Sequence, residues 1–395
     1  MITPQQAEEL INRCPLHTGH ESVSLMDAVG RILQEDLHAD TDLPPFNRVM
    51  MDGIAIRFSA LENGVIPLRV QGRQRAGMAP LMLEDSNACI EIMTGAVCPE
   101  GCDTVVPYEH IRIEQGAAII EIPPASIGKN IHRAGSDQKK GAQLVQSGKI
   151  ISAAEIGIAS SIGKSNLLVT RNPRVLICST GDELVEIEQE PLTHQIRRSN
   201  VYALQALFKE LRINTDETHL PDEAEALRVA LKKALEDYDI LLLSGGVSKG
   251  KFDLVPDVLK ELGVSVAFHG IAQRPGKPMW FGTTVRTTIF ALPGNPVSTL
   301  ACAARYVMPW LQKQLFNRNQ TLHIKSAEEI VPHEKLTLFL PVKLESTEKE
   351  TIGTTLKNQG SGDFSALSGM HGFVEIMPGL TPLAAGTSLP YFPIH

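Results

Sequence analysis

Three runs of consecutive apolar residues, each stopping abruptly at serine, glycine or proline, constrain this chain more than any other feature. They are PRVLICS (173–179), DILLLSGG (239–246) and TTIFALPGNP (287–296). A short run with no polar alternation has no solvent face, so it suits a strand covered on both sides. Helical patterns lie between them. Asn200 to Leu211 reads as one helix. Asp222 to Asp237 reads as another, with Asp222 and Glu225 as a capping box and Leu227, Leu231, Ala234 and Leu235 on one stripe. Phe252 to Leu262 reads as a helix ending at Gly263, and Val297 to Leu311 as a further one. Buried strands alternating with helices predict a doubly wound, mostly parallel sheet.

The rest of the chain is patterned differently. Thr3, Pro4 and Gln6 supply the cap, first position and capping-box partner of an N-terminal helix. A second helix is expected over Leu25 to Leu33. From Asp42 to Gly148, short β-like runs such as PLRVQG, ACIEIMTG and DTVVPYE are broken by Gly and Pro, which predicts an inserted β-rich module. ISAAEIGIASSIG is helical again. In the tail, Leu338, Leu340, Val342 and Leu344 alternate, which predicts a small β-barrel. The expected class is therefore α/β and β multidomain. A discontinuous helical domain would cover 1–41 plus 142–170, a β-rich insertion 42–141, an α/β domain 171–318 and a C-terminal barrel 319–395.

Composition narrows the partners. The 37 basic and 45 acidic residues give a net charge of −8, which argues against nucleic acid or an anionic membrane as the main partner. None of the six cysteines forms a C-x-x-C pair, so a zinc ribbon or thioredoxin-like site is not expected. The opening MITPQQAEELI has no basic then apolar leader pattern, and no apolar run is long enough to span a bilayer. The cytoplasm is the expected location.

In an open parallel sheet, ligands bind beyond the carboxyl ends of the strands. Three loops fall there: Ser179-Thr180-Gly181-Asp182-Glu183, the stretch from Ser244, Gly245 and Gly246 through Ser248 to Gly250, and Leu292-Pro293-Gly294-Asn295-Pro296-Val297-Ser298. Their small residues let backbone N–H groups approach an anion, and a helix N-terminus follows. Gly245 to Lys251 also satisfies G-x-x-x-x-G-K, but Phe252 stands where a nucleotide-binding P-loop needs Ser or Thr for magnesium. Asp182, Glu183 and Asp253 sit in or beside these loops. A carboxylate near a phosphate repels it unless a divalent cation intervenes, so the pattern suggests metal-assisted phosphoanhydride chemistry. Helix capping suits Asp182 better than catalysis does. Arg274 and Lys277 lie on a proline-stiffened turn that suits a small oxyanion.

These loops, in this order, resemble the MoeA family of molybdopterin molybdenumtransferases, which includes the gephyrin E domain. The carrying motifs are LPPF (43–46), MDGIAIR (51–57), MTGAVCPEGCDTVVPYE (93–109), GSDQKKG (135–141), STGDELV (179–185), SGGVSKGKFD (244–253), RPGKP (274–278) and LPGNPVS (292–298). The resemblance covers essentially the whole chain. It implies four structural domains and a homodimer with a cleft shared between subunits. It implies adenylylated molybdopterin and molybdate as substrates, magnesium-dependent cleavage of the adenylate, and molybdenum cofactor and AMP as products. A molybdopterin adenylyltransferase would be the partner that supplies the substrate. By the same resemblance Asp52, Thr94, Glu183, Asp253, Pro293 and Pro296 lie at the active site, with Glu183 and Asp253 on the metal. Arg274, Lys277, Ser298 and Ser365 resemble a molybdate pocket.

The chain departs from the family pattern at several charged positions. Asn47, Arg48 and Val49 replace Asp-Asn-Ser, and Ser136 replaces a glutamate. Arg198 replaces an acid before Ser199-Asn200, Arg274 replaces a lysine, and Pro341 replaces an arginine. Two other readings stand beside this one: a non-catalytic molybdopterin-binding scaffold on the same fold, and a pterin adenylyltransferase, which would use only the central sheet. The long N-terminal segment and the β tail argue against the last.

Overall fold

The structure is a computed structural model that describes residues 1–247, 254–318, 321–346, 350–357, 360–363 and 367–394. It divides into two compact units. One comprises 1–21, 30–32 and 169–395, and the other 22–29 and 33–168.

The larger unit holds the sheet that the apolar runs predict. Its hydrogen-bonded order is Thr215–Leu220, Val175–Thr180, Ile240–Ser244, Thr288–Leu292, Trp280–Thr283 and Ser265–His269. The first four strands pair in parallel, and the last two join through antiparallel pairings. Alternate side chains serve opposite faces. Ile177, Leu242 and Phe290 pack against the helix Ser199–Glu210 and the helical run that starts at Pro296, where Val201, Leu204 and Trp310 meet them. Leu176, Leu241, Leu243 and Ile289 pack on the other face, with Leu227 and Leu231 of Ala224–Asp237 and Val258 of Val255–Glu261. Each fully buried Leu or Ile contributes roughly 1.5–3 kcal/mol of apolar burial, which is why these runs tolerate no polar residue until the strand ends.

The N-terminal helix, Pro4–Asn12, has the expected capping box: the Gln6 amide donates to Thr3 Oγ1, and the Thr3 amide donates to Gln6 Oε1. Its Ala7 and Ile11 join the core of the parallel sheet. The tail closes into a five-stranded barrel, Thr337–Ser346, Thr351–Thr355, Leu322–Ser326, Ser388–Pro393 and Gly372–Ile376, with the last strand pairing back to the first. Pro341 lies on the first of these strands opposite Phe373.

The smaller unit is built on a six-stranded sheet in the order Thr104–Pro107, Gly53–Ile56, Ala88–Ile92, Leu68–Gln74, Ala117–Ile120 and Ile111–Glu114. Ile54, Ile56, Leu68, Val106 and Ala118 form its core.

Two local expectations are corrected. Leu25 to Leu33 forms turns rather than a helix. Ala28 makes one helical bond to Ser24, but the amides of Leu25 and Leu33 donate to Ser165 and Lys149, so neighbouring chain satisfies the backbone in place of an i to i−4 ladder. The second correction is the start of Ala224–Asp237. Glu223 is the cap residue and makes no side-chain cap bond. The Asp222 amide instead takes Asp182 Oδ1 at 3.3 Å. The expected start of the Phe252 helix lies outside the described residues; its described part is Val255–Glu261.

Candidate active site

Parallel register brings the three loops together. Ser179 is the register partner of Ser244, and Ser244 of Leu292, so the three strands end level and their loops leave from one edge. The Gly245 amide donates to the Leu292 carbonyl at 3.2 Å. These loops line a cavity of about 700 Å³. Gly181 and Glu183 come from the first loop, Ser244, Gly245 and Gly246 from the second, and Pro293 through Pro296 from the third. Asp253 and Ser248, expected here, lie outside the described residues, as does Ser365.

Gly245 shows how tightly the loops approach. Its φ is +101°, and a Cβ would lie 2.6 Å from the Thr180 carbonyl oxygen. Gly245→Ala is expected to destabilise the larger unit by about 1–3 kcal/mol, because backbone must move and the conformation is strained for any other residue. Denaturant titration alongside ligand binding checks this. An unchanged midpoint with unchanged affinity would show that the loops are not locked together.

Asn200 was not among the residues singled out for the site, yet it joins two of its loops. Its Nδ2 donates to Ser244 Oγ at 2.9 Å and to the Gly294 carbonyl at 2.6 Å. A signal did exist: Asn200 stands four residues before Leu204, a polar residue on the apolar stripe of its helix. Thr180 and Arg198 also line the cavity.

The carboxylates separate. Glu183 is exposed and lines the cavity. Asp182 does not line it; its carboxylate accepts the Asp222 amide. Asp222 is the other acid on the wall among the described residues. No cluster of three or more metal-ligating side chains occurs among the described residues.

The cationic turn begins at Gln273–Arg274, which pairs in parallel with Thr337 and Leu338 of the barrel. Arg274 and Lys277 are exposed, and neither forms an ion pair among the described residues. The turn is held from beneath. Gln273 is 1% exposed; its Nε2 donates to the Pro275 carbonyl at 3.0 Å, and its Oε1 accepts from the Tyr306 hydroxyl. A Cβ on Gly276, whose φ is +91°, would lie 2.5 Å from Cys302 Sγ. Pro278 from this turn lines the cavity. Ser298 is 3% exposed and is not part of the cavity lining. The tail reaches the third loop through Ser361, whose Oγ accepts from Asn295 Nδ2 at 2.7 Å.

Asp52 and Thr94 are brought together in the smaller unit. Asp52 Oδ1 accepts from the Thr94 amide at 2.6 Å and from its hydroxyl at 2.7 Å. Those two bonds, the amide first, hold the Asp52 carboxyl below its ordinary pKa. The anion therefore persists as pH falls to a value lower than usual for aspartate. Thr94→Val removes the hydroxyl bond and keeps the amide bond, so the Asp52 carboxyl is expected to titrate at higher pH than in the parent. Carboxyl NMR titration reads this directly, and an unmoved midpoint would remove the hydroxyl from the account.

None of the six thiols lines the cavity. All six cysteines are free, and burial pushes Cys98 up to about 11 and Cys89 and Cys178 up to about 12, which keeps them protonated and unreactive at neutral pH.

Three family models match in chain order: the MoeA N-terminal region (domain I and II) over 2–163, a probable molybdopterin binding domain over 176–313, and the MoeA C-terminal region (domain IV) over 324–394. The chain is 38% identical over 397 residues to the molybdopterin molybdenumtransferase of a Synechocystis strain, covering 99% of this chain and 100% of that one. The chain belongs to the MoeA family. It is also 30% identical over 410 residues to the molybdopterin molybdenumtransferase of Haemophilus influenzae, covering 100% of this chain and 99% of the other. A crystal structure of a molybdopterin biosynthesis MoeA protein from Pyrococcus horikosii superimposes with a TM-score of 0.83 at 29% identity, covering 100% of this chain and 99% of that one. Within this MoeA-family chain, the level loops, their cavity and the RPGKP turn all fall in or beside the region matched by the molybdopterin binding model. No described helix is long and apolar enough to cross a membrane.

Proposed function

We infer that this chain is a transferase of molybdenum cofactor biosynthesis: a molybdopterin molybdenumtransferase that inserts molybdate into adenylylated molybdopterin and releases AMP. The observation that carries the reading is the cavity of about 700 Å³ at the level ends of three parallel strands, in a chain collinear with molybdopterin molybdenumtransferases over its whole length.

The glycine and proline loops hold the substrate's phosphates through backbone amides. Glu183 is the carboxylate we assign to magnesium, with Asp253 as its partner. The donor set fits that ion, because magnesium takes one or two protein carboxylates and completes its shell with water and phosphate oxygens; Glu183 is exposed beside phosphate-suited loops. When bound, the ion neutralises charge on the anhydride and polarises it. Asp52, kept anionic by Thr94, is the further acid we assign to the reaction. Arg274 and Lys277 receive the molybdate dianion, with Ser365 as the further donor; Ser298, 3% exposed, lies beneath the surface rather than in the pocket. Gln273 and Tyr306 keep the turn rigid beneath them.

The reading extends to a homodimer in the cytoplasm, fed by a molybdopterin adenylyltransferase. Light scattering at micromolar concentration checks the dimer.

The defining test supplies adenylylated molybdopterin, molybdate and magnesium. AMP release with appearance of active cofactor is expected. Binding of the pterin without AMP release would support the scaffold reading, and ATP-dependent AMP transfer to molybdopterin would support the adenylyltransferase.

A further inference from the structure

Buried polar side-chain atoms in folded proteins are nearly always paired. Among the described residues only two are not: Thr180 Oγ1 and Arg198 Nε. Both residues line the cavity at the strand ends. Two orphaned buried atoms, on two residues that line one cavity, point to a ligand that completes them.

Arg198 is an unlikely residue to find here on stability grounds alone. It is 5% exposed and occupies the cap position of Ser199–Glu210, where the helix dipole opposes a cation. Its charge is held by acids. Nη2 donates to Glu186 at 2.5 Å and lies 3.5 Å from Glu217, while Nη1 donates to Ser179 Oγ at 3.4 Å. Two carboxylates thus face one guanidinium. An incoming phosphate would meet that excess of negative charge, whereas an uncharged acceptor would not. Nε carries a single hydrogen and can only donate. Thr180 Oγ1 sits in the crook of the second loop, 2.9 and 2.8 Å from where a Cβ on Gly245 or Gly246 would be, and a hydroxyl can donate or accept.

We propose that Arg198 Nε–H and the Thr180 hydroxyl read the uncharged heterocycle of the substrate, Nε–H donating to a ring carbonyl or ring nitrogen and Thr180 pairing with a neighbouring polar ring atom. The inference rests on the pterin reading of this cavity. It makes Arg198 a specificity residue rather than a counter-ion for phosphate.

The test is equilibrium binding to the full chain, with two probes that separate ring from phosphate: 6-hydroxymethylpterin, which has the ring and no phosphate, and inorganic pyrophosphate, which has phosphate and no ring. Loss of one hydrogen bond corresponds to about tenfold in affinity. Arg198→Lys and Thr180→Val are each expected to weaken 6-hydroxymethylpterin about tenfold. Thr180→Ser is expected to retain the parent affinity within about twofold, and pyrophosphate affinity is expected to stay within about twofold throughout. Weakened pyrophosphate binding with intact pterin binding would assign both residues to an anion and overturn the proposal. Unchanged binding of both probes, or a parent that does not bind the pterin, would overturn it as well. If Arg198→Lys does not fold, the Thr180→Val and Thr180→Ser pair decides. Turnover is measured separately. A parent that shows this binding pattern but releases no AMP would defeat the transferase reading and leave the ring subsite standing.

Discussion

Glu183→Gln is expected to lower AMP release on the order of a thousandfold while the protein stays folded and still binds the pterin. The size follows from the proposed role. A carboxylate that anchors a catalytic cation supports several kcal/mol of transition-state charge stabilisation, and each 1.36 kcal/mol is about tenfold in rate. The selectivity follows from the loop. The Glu183 carbonyl accepts from the Ile196 amide at 2.9 Å, and the Leu184 amide donates to the Gly181 carbonyl at 3.1 Å. Backbone bonds therefore fix the loop, and the side chain is exposed. Changing an exposed carboxylate to its amide leaves stability within about 0.5 kcal/mol. Raising magnesium should recover part of the lost rate. AMP release measured over a magnesium series, beside a melting curve and pterin binding, checks all four points. Parent-like turnover would remove Glu183 from the chemistry.

The second large effect is on stability, away from the cavity. Arg305→Ala is expected to destabilise the larger unit by about 3–5 kcal/mol, because it strands a buried charge. Arg305 is 5% exposed. Its Nε donates to Glu375 Oε2 at 2.8 Å, and its Nη2 donates to Glu8 Oε2 at 2.8 Å. Burial opposes the arginine charge, but Glu375 and Glu8 more than offset it and hold its pKa above the ordinary value. Glu375 is 4% exposed on the barrel strand Gly372–Ile376, and its other oxygen accepts from Gln5 Nε2. Glu8 belongs to Pro4–Asn12 and Arg305 to the π-helical turn Ala303–Val307. One guanidinium thus joins the first helix, the helical run after the third loop and the barrel. Without it, Glu375 keeps a charge with only an amide for company. The comparison variant is Arg305→Ala with Glu375→Gln, which removes both charges and should recover much of the loss. Denaturant midpoints of the single and double variants decide it; equal midpoints would show that the single variant's cost was lost packing.

Much of the site was legible before any coordinate. DILLLSGG names a buried strand and the loop after it, because an all-apolar run can be satisfied only between two layers and glycine ends it where backbone must come close. The Thr3 and Gln6 capping box was legible because its partners are three residues apart. Leu25 to Leu33 misled, because its backbone groups are satisfied by Ser165 and Lys149, far along the chain. Asp222 misled by one residue, because its amide is taken by Asp182 from another loop.

The sequence by itself determined the three central strands of the parallel sheet, which loops carry the small residues and carboxylates, and which family the order of motifs resembles. Only the tertiary structure decided that Ser179, Ser244 and Leu292 stand level, that Asn200 ties Ser244 to Gly294, and that Arg198 is buried against Glu186 and Glu217 with one N–H unspent. The physical reason is range. Propensity, capping and periodicity are carried by residues within a turn or two of one another. Parallel register, by contrast, is settled by hydrogen bonds between strands dozens of residues apart, and the pairing of a buried charge by whichever acids the fold brings beside it.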